Sequence, residues 1–322
     1  MTGLVRTVLG DIHPADLGMT YAHEHFILDS PLVEDRFPEI LLDSLDAAAA
    51  ELAACAAVGL GTVVDAMPAG AGRDAERLAE ASRRSGVHII ATTGLHTSRW
   101  YPGRSWANEC DSGTLADLFV ADVEDGIDRY DYRGPVIERT PHRAGVIKVG
   151  TLQPEPNDRD LRLFAAAAET HRRTGVPILT HCEEGEGAME QIELFRDLQV
   201  PLEHIVLSHT DKVADPAYHL DLVDAGVFLE FDQVLRHAID LENTSVRLVA
   251  ALAEADRISQ VMLGTDGARR SMWTAFGGSP GLAALTTDVI PMLRTAGVGD
   301  DAINQIFVTN PARFFAFKEA IA

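Results

Sequence analysis

Short apolar runs alternate along the chain with longer segments of helical spacing. The runs are Gly18-Met19-Thr20-Tyr21, Thr62-Val63-Val64-Asp65-Ala66, Val87-His88-Ile89-Ile90-Ala91-Thr92, Gly145-Val146-Ile147-Lys148-Val149, Val176-Pro177-Ile178-Leu179-Thr180-His181, His204-Ile205-Val206-Leu207-Ser208-His209, Val227-Phe228-Leu229-Glu230-Phe231 and Val261-Met262-Leu263-Gly264-Thr265-Asp266. Between them the pattern predicts helices over 41–58, 73–84, 114–129, 158–174, 186–198, 215–224 and 243–254, several closed by glycines such as Gly59, Gly86 and Gly175. A lead-in over 1–16 predicts a β-hairpin turning at Gly10-Asp11, and helices over 297–322 finish the chain. The runs show little polar alternation, which indicates strands buried on both faces, as in parallel sheets. Eight β-α units with no linker or composition break predict one domain over 1–322, an α/β chain folded as a (β/α)8 TIM barrel. The main competitor is a doubly wound open sheet, and no glycine-rich phosphate loop follows the first run to support it.

Polar residues gather at the carboxyl ends of these runs. His23 and His25 follow the first run at the i, i+2 spacing that sets two strand side chains on one face. Lys148 lies in the fourth run, and His181, His209 and Asp266 end the fifth, sixth and eighth. Barrel active sites are assembled at that end, from several strands. A single strand-end histidine is more often a satisfied core residue than a metal ligand. Four histidines and an aspartate converging on one barrel mouth are hard to explain that way.

Composition narrows the chemistry. A formal charge of −22 argues against nucleic acid or an anionic membrane as partner, and predicts a small-molecule substrate. No run approaches the roughly 20 apolar residues of a membrane span. Cys55, Cys110 and Cys182 form no framework, and the start of the chain lacks a signal-peptide core, so a cytoplasmic location is expected. Of 27 basic residues only Lys148, Lys212 and Lys318 are lysine. Lys148 therefore stands out, between Ile147 and Val149 in a buried strand. A buried ammonium is costly, and three readings follow. The amine reaches solvent at the mouth, forms a Schiff base as in aldolase barrels, or captures carbon dioxide as a metal-bridging carbamate. The neighbouring histidines favour the carbamate, since a Schiff-base enzyme has no use for a metal cage.

The strings Ala22-His23-Glu24-His25, Ile147-Lys148-Val149, Thr180-His181, Ser208-His209 and Gly264-Thr265-Asp266, with the ending Thr309-Asn310-Pro311-Ala312-Arg313-Phe314-Phe315, resemble the phosphotriesterase branch of the amidohydrolase superfamily over essentially the whole chain. The resemblance implies two divalent ions, zinc first and manganese, cobalt or iron also suited. One would be held by His23, His25 and Asp266, the other by His181 and His209, with carboxylated Lys148 and a hydroxide bridging them. It further implies attack by that hydroxide on a C=O or P=O, with Asp266 taking up the proton, and a homodimer. Glu24, between two ligands, should point the other way and serve structure.

The substrate is set by loops. Those after the third, seventh and eighth runs contain Arg99, Trp100, Tyr101 and Arg104, then Arg236 and His237, then Arg269, Arg270, Trp273 and Phe276. Arg269, Arg236, Arg270, Trp100 and Trp273 are the candidate substrate contacts, because arginine forks suit carboxylate or phosphate. The competing expectation pairs these arginines with local acids such as Asp232 or Asp240. Gly267-Ala268-Arg269-Arg270 resembles the sugar-lactone-hydrolysing members of the branch, while Leu95-His96-Thr97 lacks the tyrosine pair of acyl-homoserine lactonases. The sequence thus predicts hydrolysis of a lactone or related carboxylic ester carrying an anionic group. Phosphotriester or amide cleavage on the same centre is the alternative; an aldolase using Lys148, or a barrel that binds without turnover, are the more distant ones.

Overall fold

The computed structural model describes residues 3–320, so Met1, Thr2, Ile321 and Ala322 of the expected terminal segments lie outside the described residues. The lead-in is a hairpin of β1 (Val5–Thr7) and β2 (Gly10–Ile12), paired antiparallel with Thr7 opposite Gly10. Its turn is therefore Val8-Leu9, two residues earlier than the expected Gly10-Asp11. Thr7 closes it, its hydroxyl donating to the Gly10 carbonyl at 2.8 Å and accepting from the Leu9 N–H at 3.2 Å.

The predicted runs then form β3 (Met19–Glu24), β4 (Leu60–Asp65), β5 (His88–Gly94), β6 (Ala144–Thr151), β7 (Ile178–Cys182), β8 (Ile205–Ser208), β9 (Phe228–Phe231) and β10 (Val261–Leu263). Each pairs in parallel with its sequence neighbour, giving an eight-stranded sheet in chain order among the described residues. The ring closes where the His23 carbonyl accepts from Thr265 N–H at 3.2 Å and Asp266 N–H at 3.0 Å. This is the expected (β/α)8 barrel.

One buried apolar side chain from each strand fills the bore: Ala22, Val64, Ile90, Val146, Leu179, Val206, Phe228 and Met262. Val5 and Leu17 of the lead-in, and Phe314 and Phe315 of the chain end, pack against this layer. Strand side chains alternate in direction. Two residues beyond the apolar layer the same face therefore carries Lys148, His181, Ser208 and Glu230. The polar layer of the site is the next storey of the core.

Helices surround the barrel, with boundaries set by caps. The helix expected over 41–58 spans Leu45–Ala56, because the Ser44 hydroxyl accepts from Ala47 N–H while Leu42 is still bridged to Leu28. The one expected over 114–129 spans Ser112–Glu124, capped by Asp111 and followed by Gly126 at φ +131°. A Cβ on Gly126 would strike the Thr140 carbonyl, so the chain must turn there. The helix expected over 158–174 has those bounds, with a capping box at Asn157 and a left-handed Gly175. The final helix stops at Phe315, short of the expected end, because Phe317 and Lys318 leave it to bond Leu4 and Gly175.

Candidate metal centre

His23, His25, Lys148, His181, His209 and Asp266 meet at the carboxyl mouth of the barrel. The His23 ring lies 5.5 Å from His25 and 4.9 Å from His209, and His181 lies 4.6 Å from His209. Lys148 Nζ is 3.3 Å from His23 Nε2, and His25 Nε2 is 3.3 Å from Asp266 Oδ1. Five of the six line a cavity of about 310 Å³; His23 is fully buried behind them. A larger surface groove of about 730 Å³, beside the helix Thr244–Glu254, holds none of these residues.

Simple alternation does not explain the first strand. Ala22 faces the bore, so His23 should face out, yet it meets Lys148, Ser208 and Glu230 inside. The pairing of β3 with β4 slips between Tyr21 and Glu24, and this bulge lets consecutive residues face inward. Glu24 is directed away, its carboxylate accepting from Thr265 N–H at 2.8 Å and from the Thr265 hydroxyl. It serves structure, binding the first strand to the last. Two ligand candidates sit in left-handed backbone, His209 at φ +64° and Asp266 at φ +43°. Neither is glycine, and such strain gathers where the surrounding structure dictates a side chain's aim.

Buried carboxylates fix the imidazole tautomers. His23 Nδ1 lies 2.7 Å from Glu230 Oε2, and His209 Nδ1 lies 2.7 Å from Asp232 Oδ1, whose other oxygen accepts the His209 N–H at 3.1 Å. With those protons donated outward, each Nε2 lone pair faces the centre. His181 is reversed: Nε2 lies 2.8 Å from Glu183 Oε2, and Nδ1 is buried with no hydrogen-bond partner among the described residues. A buried imidazole nitrogen without a protein partner is what a cation would satisfy, so the donor set fits a metal centre. Asp232 also falls within ligand range of His23 and His209, but its oxygens are engaged by His209 and Gln233.

Electrostatics agree. Burial, reinforced at His181 by His209, holds the His181 and His209 imidazoles down to about 3, keeping them neutral as metal binding requires. Burial also lowers the Lys148 amine, against the pull of Asp266 and Glu230. For Asp266 burial acts upward, but the Arg236 guanidinium and His25 hold the carboxyl well below the usual range.

The expected substrate contacts divide. Arg269, exposed, lines the cavity, and no carboxylate among the described residues lies within ion-pair distance of it. Trp100 forms part of the wall, stacked on His96 at 5.1 Å. Arg236 also lines it, but its guanidinium is spent on Asp266, 2.5 Å from Oδ2 and 2.6 Å from the carbonyl. Arg270 and Trp273 do not line the cavity, which corrects their expected role. Arg270 turns to Asp43 at 3.0 Å and over the Phe276 ring at 3.9 Å. Trp273 is fully buried, packed on Phe26 with its indole N–H donated to Gly267. Sequence reasoning missed Glu230, Asp232 and Glu183 as supports of the histidines. The signal was a lone Glu in an otherwise apolar run, two residues before Asp232 on the same face.

Fold and site together define a (β/α)8 barrel with a candidate metal centre at its mouth. The sequence profile of the phosphotriesterase family matches residues 3–315. The chain belongs to that family of metal-dependent hydrolases and is a hydrolase acting on ester bonds. A phospho-furanose lactonase of Mycoplasmopsis synoviae is 32% identical over 98% of this chain and 92% of its own. The solved structure of an amidohydrolase from Mycoplasma synoviae superposes with a TM-score of 0.91 at 31% identity, covering 100% of this chain and 94% of that one. A lactonase structure from Listeria monocytogenes gives 0.90 at 28% identity, over 98% and 100%. Among the described residues no helix is long and apolar enough to cross a membrane.

Proposed function

We propose that the chain opens a lactone, or cleaves a related carboxylic ester, bearing a phosphate or carboxylate substituent, and that residues 1–322 act as one catalytic domain. The observation that carries this reading is Arg269: a guanidinium without an acidic partner at the rim of a cavity floored by the metal-ligand set. Lys212 stands on the same rim, also without an ion pair among the described residues. Glu39, Glu183 and Glu184 share this lining and Arg99 pairs with Glu183, so Arg269 is the guanidinium left for a substrate anion. The names of the lactonase relatives point the same way.

His23, His25 and Asp266 would hold one divalent ion, His181 and His209 a second, with Lys148 between them as its carbamate. Zinc is the first candidate, then manganese, cobalt or iron. Such ions supply Lewis acidity and an acidified water. The protein's own residues do the rest. Glu230, Asp232 and Glu183 hold the imidazoles in their ligand tautomers, Arg236 steers the Asp266 carboxylate, Asp266 accepts a proton, and Arg269 seats the anion. Free Cys55, Cys110 and Cys182 support a cytoplasmic setting. A homodimer is proposed from the family resemblance alone.

The test is elemental analysis of the purified protein, then a panel of lactones, esters, amides and phosphotriesters, with phosphorylated, carboxylated and neutral members of each. Two metals per chain and a preference for anionic lactones are expected. A metal-loaded protein inert to every lactone and ester would end the proposal, and strongest turnover on phosphotriesters would replace it with the phosphotriesterase reading.

A further inference from the structure

His96 is a polar wall residue of the cavity that the ligand set does not use. It lies two residues beyond β5, is 7% exposed, and sits between the Trp100 ring at 5.1 Å and the His181 ring at 4.8 Å. Its Nδ1 accepts the Thr97 backbone N–H at 2.7 Å and lies 3.3 Å from the Thr97 hydroxyl. A nitrogen that accepts a backbone N–H carries no proton of its own, so the neutral ring must hold its proton on Nε2. No protein acceptor for that Nε2–H occurs among the described residues, and Nε2 is not sealed from the cavity. Placing a second proton on Nδ1 would set N–H against N–H. The ring is thereby made a donor and disqualified as a base.

We propose that His96 is a specificity-determining residue: its fixed Nε2–H donates to a hydroxyl oxygen on the carbon next to the scissile carbonyl, so that the site selects 2-hydroxylated lactones over their deoxy or alkyl counterparts. This rests on the lactone reading above. Its position follows from the ring beside it, since His181 would ligate one metal and the reacting carbonyl must come close to that centre. Its selectivity follows from desolvation. A substrate that displaces cavity water without supplying an acceptor leaves the donor unpaired, and sites built around such bonds reject analogues lacking the partner.

Two variants test it. His96→Phe keeps an aromatic ring between Trp100 and His181 and removes the donor; His96→Gln restores an amide N–H near the Nε2 position. Steady-state kinetics are measured on a 2-hydroxy lactone and its 2-deoxy analogue, with metal content and thermal unfolding as controls. His96→Phe should lose about tenfold to a hundredfold in kcat/KM on the hydroxylated lactone, mostly through KM, and less than about threefold on the deoxy one. His96→Gln should recover most of the difference. In ¹⁵N NMR of the native protein, His96 Nδ1 should resonate as unprotonated and Nε2 as protonated. Equal losses on both lactones, no loss on either, or a protonated Nδ1 would overturn the role of His96 while leaving the hydrolase reading intact. If the native protein opens neither lactone, the lactone reading has failed and this inference falls with it.

Discussion

At the residue scale the centre turns on Lys148, a buried amine among histidines and carboxylates. Burial favours its neutral form, and a neutral amine adds to carbon dioxide, releasing a proton and leaving a carbamate. Lys148→Ala should lose bound metal and about a hundredfold in activity, the upper end of what removing a supporting group from a metal site costs. Added acetate or propionate, a short carboxylate able to occupy the vacated space, should restore part of both. Full activity in the untreated variant, read by metal analysis beside kinetics, would show that nothing at 148 bridges. A second residue-scale effect lies away from the site. His171 Nδ1–H donates to the Val176 carbonyl at 2.8 Å, and His204 Nδ1 lies 3.0 Å from His171 Nε2. Burial, then the neighbouring His171, holds His204 down to about 4, and burial lowers His171. A histidine depressed in the fold stabilises it above the unfolded value near 6.5 and loses that contribution as pH falls toward 4. Half-exposure limits the loss to about 1 kcal/mol. Denaturant midpoints at pH 7 and pH 5 should therefore fall further apart in the native protein than in His204→Gln; an unchanged gap would exclude this pair.

What could be read at this scale follows from where charge can be afforded. That His23, His25, His181, His209 and Asp266 would cluster was legible because a polar residue ending a buried strand has few structural uses, and Lys148 stood out as one of only three lysines. Glu230 obeys the same rule but sits inside its run, where one acid among Phe228, Leu229 and Phe231 looks like an interruption of the pattern. Trp273 was misplaced because a tryptophan in a loop near the site fits a substrate wall as well as a core. Only packing distinguishes them. Arg236 and Arg270 show the same limit, since which carboxylate an arginine finds is a tertiary matter.

At the element scale the strands were legible and their register was not. Period-two alternation puts His23 and His25 together correctly, but the slip in β3 that turns His23 inward beside Ala22 has no mark in the local sequence. The slip lies against the far end of the chain. Gly264, next after β10, packs so closely on the first strand that a Cβ there would lie 2.6 Å from His23 N and 2.7 Å from His23 O. The seam that closes the barrel therefore also holds His23, a candidate ligand, in place. Gly264→Ala should destabilise the fold by about 3 kcal/mol, an overpacking cost with backbone on both sides, and lower metal occupancy as His23 is displaced. Gly134→Ala, where a Cβ would meet nothing within 4 Å, is the control. Equal chemical-denaturation midpoints for the two variants would mean that the seam yields freely.

At the scale of the whole molecule two electrostatic fields compete for an anionic substrate. The chain as a body carries −22, while Arg269 and Lys212 stand at the cavity mouth. Which wins depends on reach. At about 0.01 M salt the Debye length is about 30 Å and most of the surface acids repel an approaching anion; at about 0.1 M it is about 10 Å and only groups near the mouth are felt. Turnover of a phosphorylated lactone should therefore rise in kcat/KM between those concentrations as distant repulsion is screened. It should fall at higher salt as the local attraction is screened in turn. A neutral lactone should show neither limb. Arg269→Ala should keep the rise and flatten the fall, because it removes local attraction and leaves the global charge almost unchanged. A steady fall from the lowest salt would mean that the mouth governs at every distance. A steady rise in the native protein would mean that Arg269 draws no anion in, and the anionic substituent would then have to be struck from the proposed substrate.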